Sequence, residues 1–137
     1  IPGPRMKSGK PHRLPLLGRA LEILEELHAN RVSDCVFPGM RSKPLSNMAM
    51  LQLLKRMGRG DVTVHGFRAT FRTWVSEKTG FPPQIAEMAL AHAISDKLEA
   101  AYQRGDLFEK RRELMQAWDV YCKGCAADVV RLADVRT

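Results

Sequence analysis

The chain has 137 residues, which is enough for one domain with a buried core and too few for two. Hydrophobic residues make up 45% and charged residues 27%, so the composition excludes a low-complexity or disordered chain. Lysine and arginine number 22 against 15 acidic residues, a net charge of +7. This surplus suits a nucleic-acid partner, because bound cations release the counterions condensed on phosphates. A basic soluble protein without such a partner is the alternative.

Three cysteines, Cys35, Cys122 and Cys125, do not make a disulfide framework. The single C-x-x-C lacks the second pair that a four-ligand zinc site needs, so we predict reduced thiols and no metal. No stretch approaches the roughly 20 apolar residues that span a bilayer, and no signal peptide is recognisable. The sequence therefore predicts a cytoplasmic protein. Because it opens on Ile1 without a starting methionine, we also expect it to be a fragment of something longer.

The first segment predicts a β-hairpin. Two short polar–apolar runs between Arg5 and Leu16 flank Ser8 and Gly9, which favours a turn near Gly9. Pro11 and Pro15 place any strand here at a sheet edge, because proline cannot donate to a ladder.

The rest of the chain predicts helices, because its apolar residues recur at three-and-four spacing. Prolines open two of these helices, Gly80 closes another, and Asp106 with Glu109 resembles a capping box. In chain order we predict helices at about 17–29, from Pro44 to about Leu54, at His65–Lys78, from Pro82 to about Ala91, near Asp96–Gln103 and at Asp106–Cys122. The fold class is mainly α with a small N-terminal β-hairpin (α+β), which alone says little about function.

The densest cluster of candidate chemistry is T-V-H-G-F-R-A-T-F-R-T-W at residues 63–74. On a helix, His65, Arg68 and Arg72 share one stripe. Arginine matches two phosphate oxygens with a planar fork, and a nearby histidine can donate to a third oxygen or move a proton. A solvated basic face is the ordinary alternative for a pattern this short. A second stripe is predicted to dock in the core: Phe67, Phe71, Trp74 and Val75.

Four further residues are unremarkable when taken singly. His92 ends an apolar helix and could be a half-buried structural histidine, and Tyr102 lies ten positions later. Lys7 and Lys10 lie beside the predicted turn, where lysines are normally just solvated.

The order of these residues resembles the tyrosine recombinase (phage integrase) family. Lysine in a hairpin, H-x-x-R opening a helix, L-A-H closing one and tyrosine ten residues on follow its pattern. The stretches M-A-L-A-H, E-A-A-Y-Q-R-G-D and K-R-R-E-L-M-Q-A-W are similar to integrases of prophages and genomic islands. The resemblance runs from about Arg5 to Tyr121. It implies a partial catalytic domain at 1–123, lacking its N-terminal part, and a C-terminal tail at 124–137.

The resemblance implies DNA recombination through a 3′-phosphotyrosyl intermediate, with no metal or cofactor. Tyr102 matches the nucleophile, and Arg68 matches the second of two phosphate-clamping arginines. His65 matches the first histidine of the pattern, and His92 the second, which is expected to bond the scissile phosphate. Lys7 matches the lysine that protonates the leaving 5′-oxygen. A tyrosine is a poor nucleophile near neutral pH, so cationic neighbours of this kind are what its chemistry requires.

The resemblance also implies partners and a cellular place. Lys10, a weaker candidate for the acid, and Arg72 and Arg13 are expected to bind DNA. The expected partners are double-stranded attachment sites and other integrase protomers in a synaptic tetramer, at the nucleoid of a bacterial cell. The family's first clamping arginine would precede the chain, so we expect this fragment alone to be inactive.

Other interpretations remain open on the sequence. The chain could be a non-catalytic DNA-binding module from a decayed integrase, or belong to a topoisomerase-like relaxing enzyme that uses the same tyrosine chemistry. A metal-dependent nuclease is less favoured, because no acidic pair has ligand spacing. The last helix could dock on a neighbouring protomer or pack within its own chain.

Overall fold

A computed structural model describes residues 1–92 and 105–124. In these ranges the chain forms α-helices and two short 3₁₀ turns, Gly3–Arg5 and Met40–Ser42. The mainly helical fold class is confirmed. The helix predicted near residues 96–103 lies outside the described residues. The helices are α1 (Gly18–Ala29), α2 (Ala49–Arg56), α3 (Gly66–Lys78), α4 (Pro83–Ala89) and α5 (Phe108–Gly124).

The predicted N-terminal β-hairpin is wrong. The described residues contain no strand, and the segment instead forms a 3₁₀ turn followed by a turn in which the Gly9 N–H donates to the Met6 carbonyl at 3.0 Å. Its two arms meet at one reciprocal pair: the Ile1 ammonium donates to the His12 carbonyl at 2.7 Å, and the His12 N–H donates to the Ile1 carbonyl at 2.9 Å.

The reason for the missing ladder is the proline content of the two arms. Proline has no N–H, so it cannot donate to a neighbouring strand. Of the residues between Ile1 and His12, three are prolines: Pro2, Pro4 and Pro11. The turn residues around Gly9 were therefore recognised correctly, while the strands on either side were not.

The core is formed by three helices. Its buried apolar side chains come from α3, α4 and α5. The Trp118 ring of α5 packs edge-on against Phe71 at 5.2 Å and against Trp74 at 4.9 Å between centroids. Leu114 and Trp118 of α5 thus pack within their own chain, while Val120 is 60% exposed. The buried members are Phe71, Trp74, Val75, Ile85, Ala86, Ala89 and Leu114.

The predicted core stripe of α3 is confirmed for Phe71, Trp74 and Val75 and wrong for Phe67, which is 56% exposed. Phe67 lies in the first turn of α3 and lines a surface groove. The helical period places it on the same face as Phe71, but the packing does not extend to the first turn.

The side chain of Asp119 on α5 holds the start of α1. Its carboxylate accepts hydrogen bonds from the Arg19 N–H at 3.2 Å and from Lys123 Nζ at 2.8 Å. The hydrogen bond from Lys123 lowers the pKa of Asp119. Gly18 has φ 52°, and a Cβ there would lie 2.1 Å from the Asp119 carboxylate oxygens. The positive φ therefore favours glycine, and a larger residue would also displace the Asp119 carboxylate from its contact with Arg19.

The stretch from Arg31 to Asp61 packs loosely. Helix α2 has no buried residue and starts at Ala49, five positions after the predicted start at Pro44. The intervening chain makes a single isolated β-bridge between Pro38 and Pro44. None of the helices in the described ranges is long and apolar enough to cross a membrane.

Candidate active site

The start of α3 positions Arg68. The Thr63 hydroxyl accepts a hydrogen bond from the Gly66 N–H at 3.0 Å, which fixes the first turn of the helix. From the next residues of α3, Arg68 reaches to the C-terminal end of α4. Its Nη2 donates to the Leu90 carbonyl at 2.6 Å and lies 2.6 Å from His92 Nε2. Two residues that the sequence places 24 positions apart are therefore in direct contact.

The end of α4 turns His92 toward this arginine. Ala91 has φ 55°, and its N–H donates to the Met88 carbonyl at 3.1 Å, while the His92 N–H donates to the Glu87 carbonyl at 2.9 Å. This pair of hydrogen bonds is the Schellman pattern, whose left-handed position is usually glycine because a Cβ there is unfavourable. The alanine of L-A-H is thus the residue at which the chain reverses.

Glu87 holds His92 from the other side. Glu87 Oε2 lies 2.5 Å from His92 Nδ1. Since an arginine can only donate, Nε2 of His92 is the acceptor from Arg68, and Nδ1 carries the proton that is donated to Glu87. The carboxylate therefore selects one tautomer of the imidazole, as second partners of functional histidines commonly do.

Glu87 also pairs with Arg72. Arg72 Nε lies 2.6 Å from Glu87 Oε1, an ion pair whose angle falls outside that of a straight hydrogen bond. The Glu87 side chain is 23% exposed and the Arg72 side chain 66%. The polar contacts run in a continuous chain from Arg72 through Glu87 and His92 to Arg68: the Glu87 carboxylate contacts Arg72 and His92, and His92 contacts Arg68. We call these four residues the α3–α4 relay.

The remaining predicted residues before α4 lie on the surface. His65, at the N-cap of α3, is exposed; its carbonyl accepts a hydrogen bond from the Arg68 N–H at 3.0 Å, and its imidazole makes no hydrogen bond to a described residue. Lys7 and Lys10 are exposed in the N-terminal turn. Met6, next to Lys7, lines the same groove of about 660 Å³ as Arg68. The turn that carries the lysine thus borders the groove that reaches the relay.

Arg13 is engaged with the start of α5. Its guanidinium donates to both Asp106 carboxylate oxygens, at 2.9 and 3.1 Å, and lies 4.3 Å over the Phe108 ring. The hydrogen bond from Arg13 lowers the pKa of Asp106, and the reciprocal bond raises the pKa of Arg13. The prediction for Tyr102 lies outside the described residues, as does Cys125.

Two residues of this region, Glu87 and Arg111, were not predicted from the sequence. Glu87 could have been found from the sequence, because it is the single acidic residue among the apolar residues of α4. Arg111 carries no local signal, because the run Lys110-Arg111-Arg112 does not show which member is buried. Within residues 1–92 and 105–124, no group of three or more histidine, cysteine or acidic side chains could hold a metal ion.

Comparisons with known proteins identify the family of the chain. The model of the phage integrase family matches residues 1–106. The chain is 38% identical over 98% of its length to prophage integrase IntA of Escherichia coli K12, and 35% identical over 85% to prophage integrase IntZ of the same strain. It is 35% identical over 82% to the integrase of Shigella phage Sf6. These matches cover 31%, 29% and 30% of the three relatives, so the chain spans about three-tenths of their length. No solved structure matches significantly. The chain belongs to the phage integrase family.

Proposed function

We propose that the full-length protein carrying this chain is a site-specific tyrosine recombinase that breaks and rejoins DNA through Tyr102. The observation that supports this most is the contact between Arg68 and His92, two residues of the family pattern that come from separate helices. Membership of the phage integrase family and similarity to three proteins named as integrases support it independently. Residues 1–123 would belong to the catalytic domain and 124–137 to a tail.

In the first step, the Tyr102 phenolic oxygen attacks the phosphorus of a DNA phosphodiester. The bond from phosphorus to the 5′-oxygen breaks, and that oxygen takes a proton from the Lys7 ammonium. The phenolic proton passes to the exposed imidazole of His65. The products are a 3′-phosphotyrosyl link and a free 5′-hydroxyl. Attack on this link by the 5′-hydroxyl of a partner strand restores the phosphodiester and returns a proton to the phenol.

The α3–α4 relay would stabilise the charge that develops on the non-bridging oxygens. Arg68 would exchange its contact with His92 for the phosphate, to which its fork is matched. His92 would then donate from Nε2, and it can do so while Nδ1 faces Glu87 only as an imidazolium. Entry of a phosphate would therefore convert an internal contact into two charge-assisted contacts with DNA.

The partners follow from this proposal. We propose that the DNA is a double-stranded attachment site, that exchange takes place in a synaptic tetramer, and that the protein works at the nucleoid of a bacterial cell. The net charge of +7 supports a DNA partner, since each neutralised phosphate releases condensed counterions. Lys7, Lys10 and Arg72 would lie along the DNA path, and Arg13 would contribute less because Asp106 binds its guanidinium.

The test is Tyr102→Phe in the full-length protein. The substrate is a nicked duplex that spans the junction between the mobile element and the chromosome, so that a released short strand traps the covalent intermediate. We expect wild-type protein to form an adduct that survives denaturing electrophoresis. Tyr102→Phe should form none, since phenylalanine has no nucleophile. Tyr121→Phe is the matched control, because the Tyr121 ring packs against Trp74 and Trp118, contacts that phenylalanine keeps, so the adduct yield should not change.

The outcomes separate the alternatives. Wild-type binding to the duplex without an adduct would favour a non-catalytic DNA-binding module. Relaxation of a supercoiled plasmid without strand exchange between two sites would favour a topoisomerase-like enzyme. An adduct that persists in Tyr102→Phe would refute the assignment of the nucleophile.

A further inference from the structure

Arg111 is a buried charge that the proposed chemistry does not use. It is 1% exposed, and it is the buried charged side chain of the part of the chain that the structure describes. Burial lowers the pKa of its guanidinium. A buried charge is costly unless it is paired and hydrogen-bonded, so its surroundings should show what it is held for.

The Arg111 guanidinium joins two segments that are far apart in the sequence. Its Nε donates to the Asp106 carbonyl at 2.7 Å, and its Nη2 lies 3.1 Å from the Asp106 carboxylate. Its Nη1 donates to the Arg13 carbonyl at 2.5 Å. Arg13 in turn binds the same carboxylate through its own fork. Asp106 is thus held by two arginines, and the backbone of Arg13 is fixed at the same point.

His12 ties this point to the end of α4. The imidazole of His12 faces the Ala89 carbonyl, and burial followed by the positive charge of Arg111 lowers its pKa. Ala89 lies three positions before His92, and Asp106 lies four positions after Tyr102. Residues 12 and 13 therefore contact both sides of the interval that contains Tyr102.

The same two residues follow the lysine closely. Lys7 lies five positions before His12 in the turn that borders the groove of Arg68. The contacts of Arg111 thus connect the segment that precedes Asp106 with the segment that carries Lys7. No other charged side chain in the described ranges makes hydrogen bonds to both segments from a buried position.

We propose that Arg111 is a positioning residue for DNA cleavage, which sets the segments carrying Tyr102 and Lys7 in register with each other. This inference rests on the function proposed above. Nucleophile and acid act on opposite sides of one phosphorus atom, so their spacing affects the rate directly. A misplacement of about 1 Å can cost about 100-fold in rate without a change in substrate affinity.

The variants are Arg111→Met and Arg111→Lys in the full-length protein, measured in single-turnover cleavage of the nicked duplex. Methionine preserves apolar volume, and lysine keeps the charge but lacks the fork. We expect the cleavage rate at saturating DNA to fall about 10- to 100-fold in Arg111→Met and less in Arg111→Lys. The DNA dissociation constant should change less than about threefold, since Arg111 is not at the DNA surface.

Arg112→Met is the matched control. Arg112 is the next residue on α5, is exposed and pairs with Glu109 at 2.7 Å. An exposed pair of this kind contributes little, so the cleavage rate should stay within about twofold of wild type.

A substrate with sulfur in place of the bridging 5′-oxygen separates the two segments. A thiolate leaves without a proton, so its use should restore the rate of the Arg111 variants if misplaced Lys7 limits them. A persistent deficit assigns the loss to Tyr102, and either result supports positioning.

The inference is overturned if folded Arg111→Met or Arg111→Lys cleaves at the wild-type rate. If Arg111→Met does not fold, Arg111→Lys decides the question. Failure of the wild-type protein to cleave would instead refute the proposed function. The wild-type result therefore distinguishes failure of the proposed function from failure of the inference about Arg111.

Discussion

The part of the chain from α3 to α5 and the part before α3 hold their residues in different ways. All seven buried apolar side chains of the core lie in α3, α4 and α5. Before α3, the buried residues are Gly3 and Pro15, and neither α1 nor α2 contains one. Arg68 and His92 belong to the segment from α3 to α5, and Lys7 belongs to the segment before α3. The candidate site therefore spans a well-packed region and a loosely packed one.

This difference shows how the two halves of the site are positioned. The α3–α4 relay lies directly on the core, so its geometry follows from the packing of two adjacent helices. The lysine turn contributes no side chain to the core. It is closed by the hydrogen bonds between Ile1 and His12, and the next residue, Arg13, is bound by the buried Arg111. We expect truncation of buried side chains from α3 to α5 to lower the free energy of unfolding strongly, and truncation of side chains before α3 to lower it little.

The largest effect on stability should come from Leu114→Ala. Leu114 is 0% exposed, so its removal leaves a cavity between α5 and the other core helices. A loss of about 2–5 kcal/mol in the free energy of unfolding is expected. Leu53→Ala on α2 is the control: Leu53 is 47% exposed, and the expected loss is below about 0.5 kcal/mol. Urea unfolding of both variants measures this. Equal losses in the free energy of unfolding would show that the segment before α3 is as well packed as the segment from α3 to α5.

A smaller effect, on activity, is expected for Glu87→Gln. Glutamine keeps an oxygen near His92 Nδ1 but removes the negative charge that contacts both His92 and Arg72. Loss of such a second partner typically costs 10–100-fold at metal sites, and we expect about 10-fold in cleavage rate here. Glu77→Gln, on the exposed side of α3, should cleave like wild type. If both variants cleave equally, the carboxylate of Glu87 has no role beyond structure.

The sequence predicted the segment from α3 to α5 better than the segment before α3. Helix α3 and its buried residues follow from a local period of 3.6, and the family pattern named Arg68 and His92 as candidate site residues without indicating that they contact each other. The partners of these residues were not predictable, because the contacts of Glu87 with Arg72 and of Arg111 with Arg13 join distant positions. The hairpin prediction was wrong although the turn was recognised. The prolines were expected only to place the strands at a sheet edge, whereas their missing N–H groups prevent a ladder altogether.

The smallest effect should come from the junction between the two parts, where His12 faces Ala89 and Arg111. Since burial lowers the pKa of His12, the unfolded chain binds more protons than the folded chain between that lowered pKa and the ordinary value of 6.5. The free energy of unfolding should therefore fall as the pH drops through this window. The lowered pKa values of Asp61, Asp106 and Asp119 act only below 3.8 and do not interfere.

The measurement is the change in melting temperature between pH 7.5 and pH 5.5 for wild-type protein and His12→Gln. Glutamine keeps an N–H donor for the Ala89 carbonyl but does not titrate, so the variant should lose less stability on acidification. His28→Gln, at the exposed end of α1, should lose as much as wild type. The Asp106 carboxylate partly opposes the shift at His12, and the N-terminal ammonium adds to it. Identical losses in wild type and His12→Gln would mean that His12 titrates as in the unfolded chain. The junction would then be open to water, and the site occupied by the Arg13 and Arg111 side chains would be less enclosed than their contacts indicate.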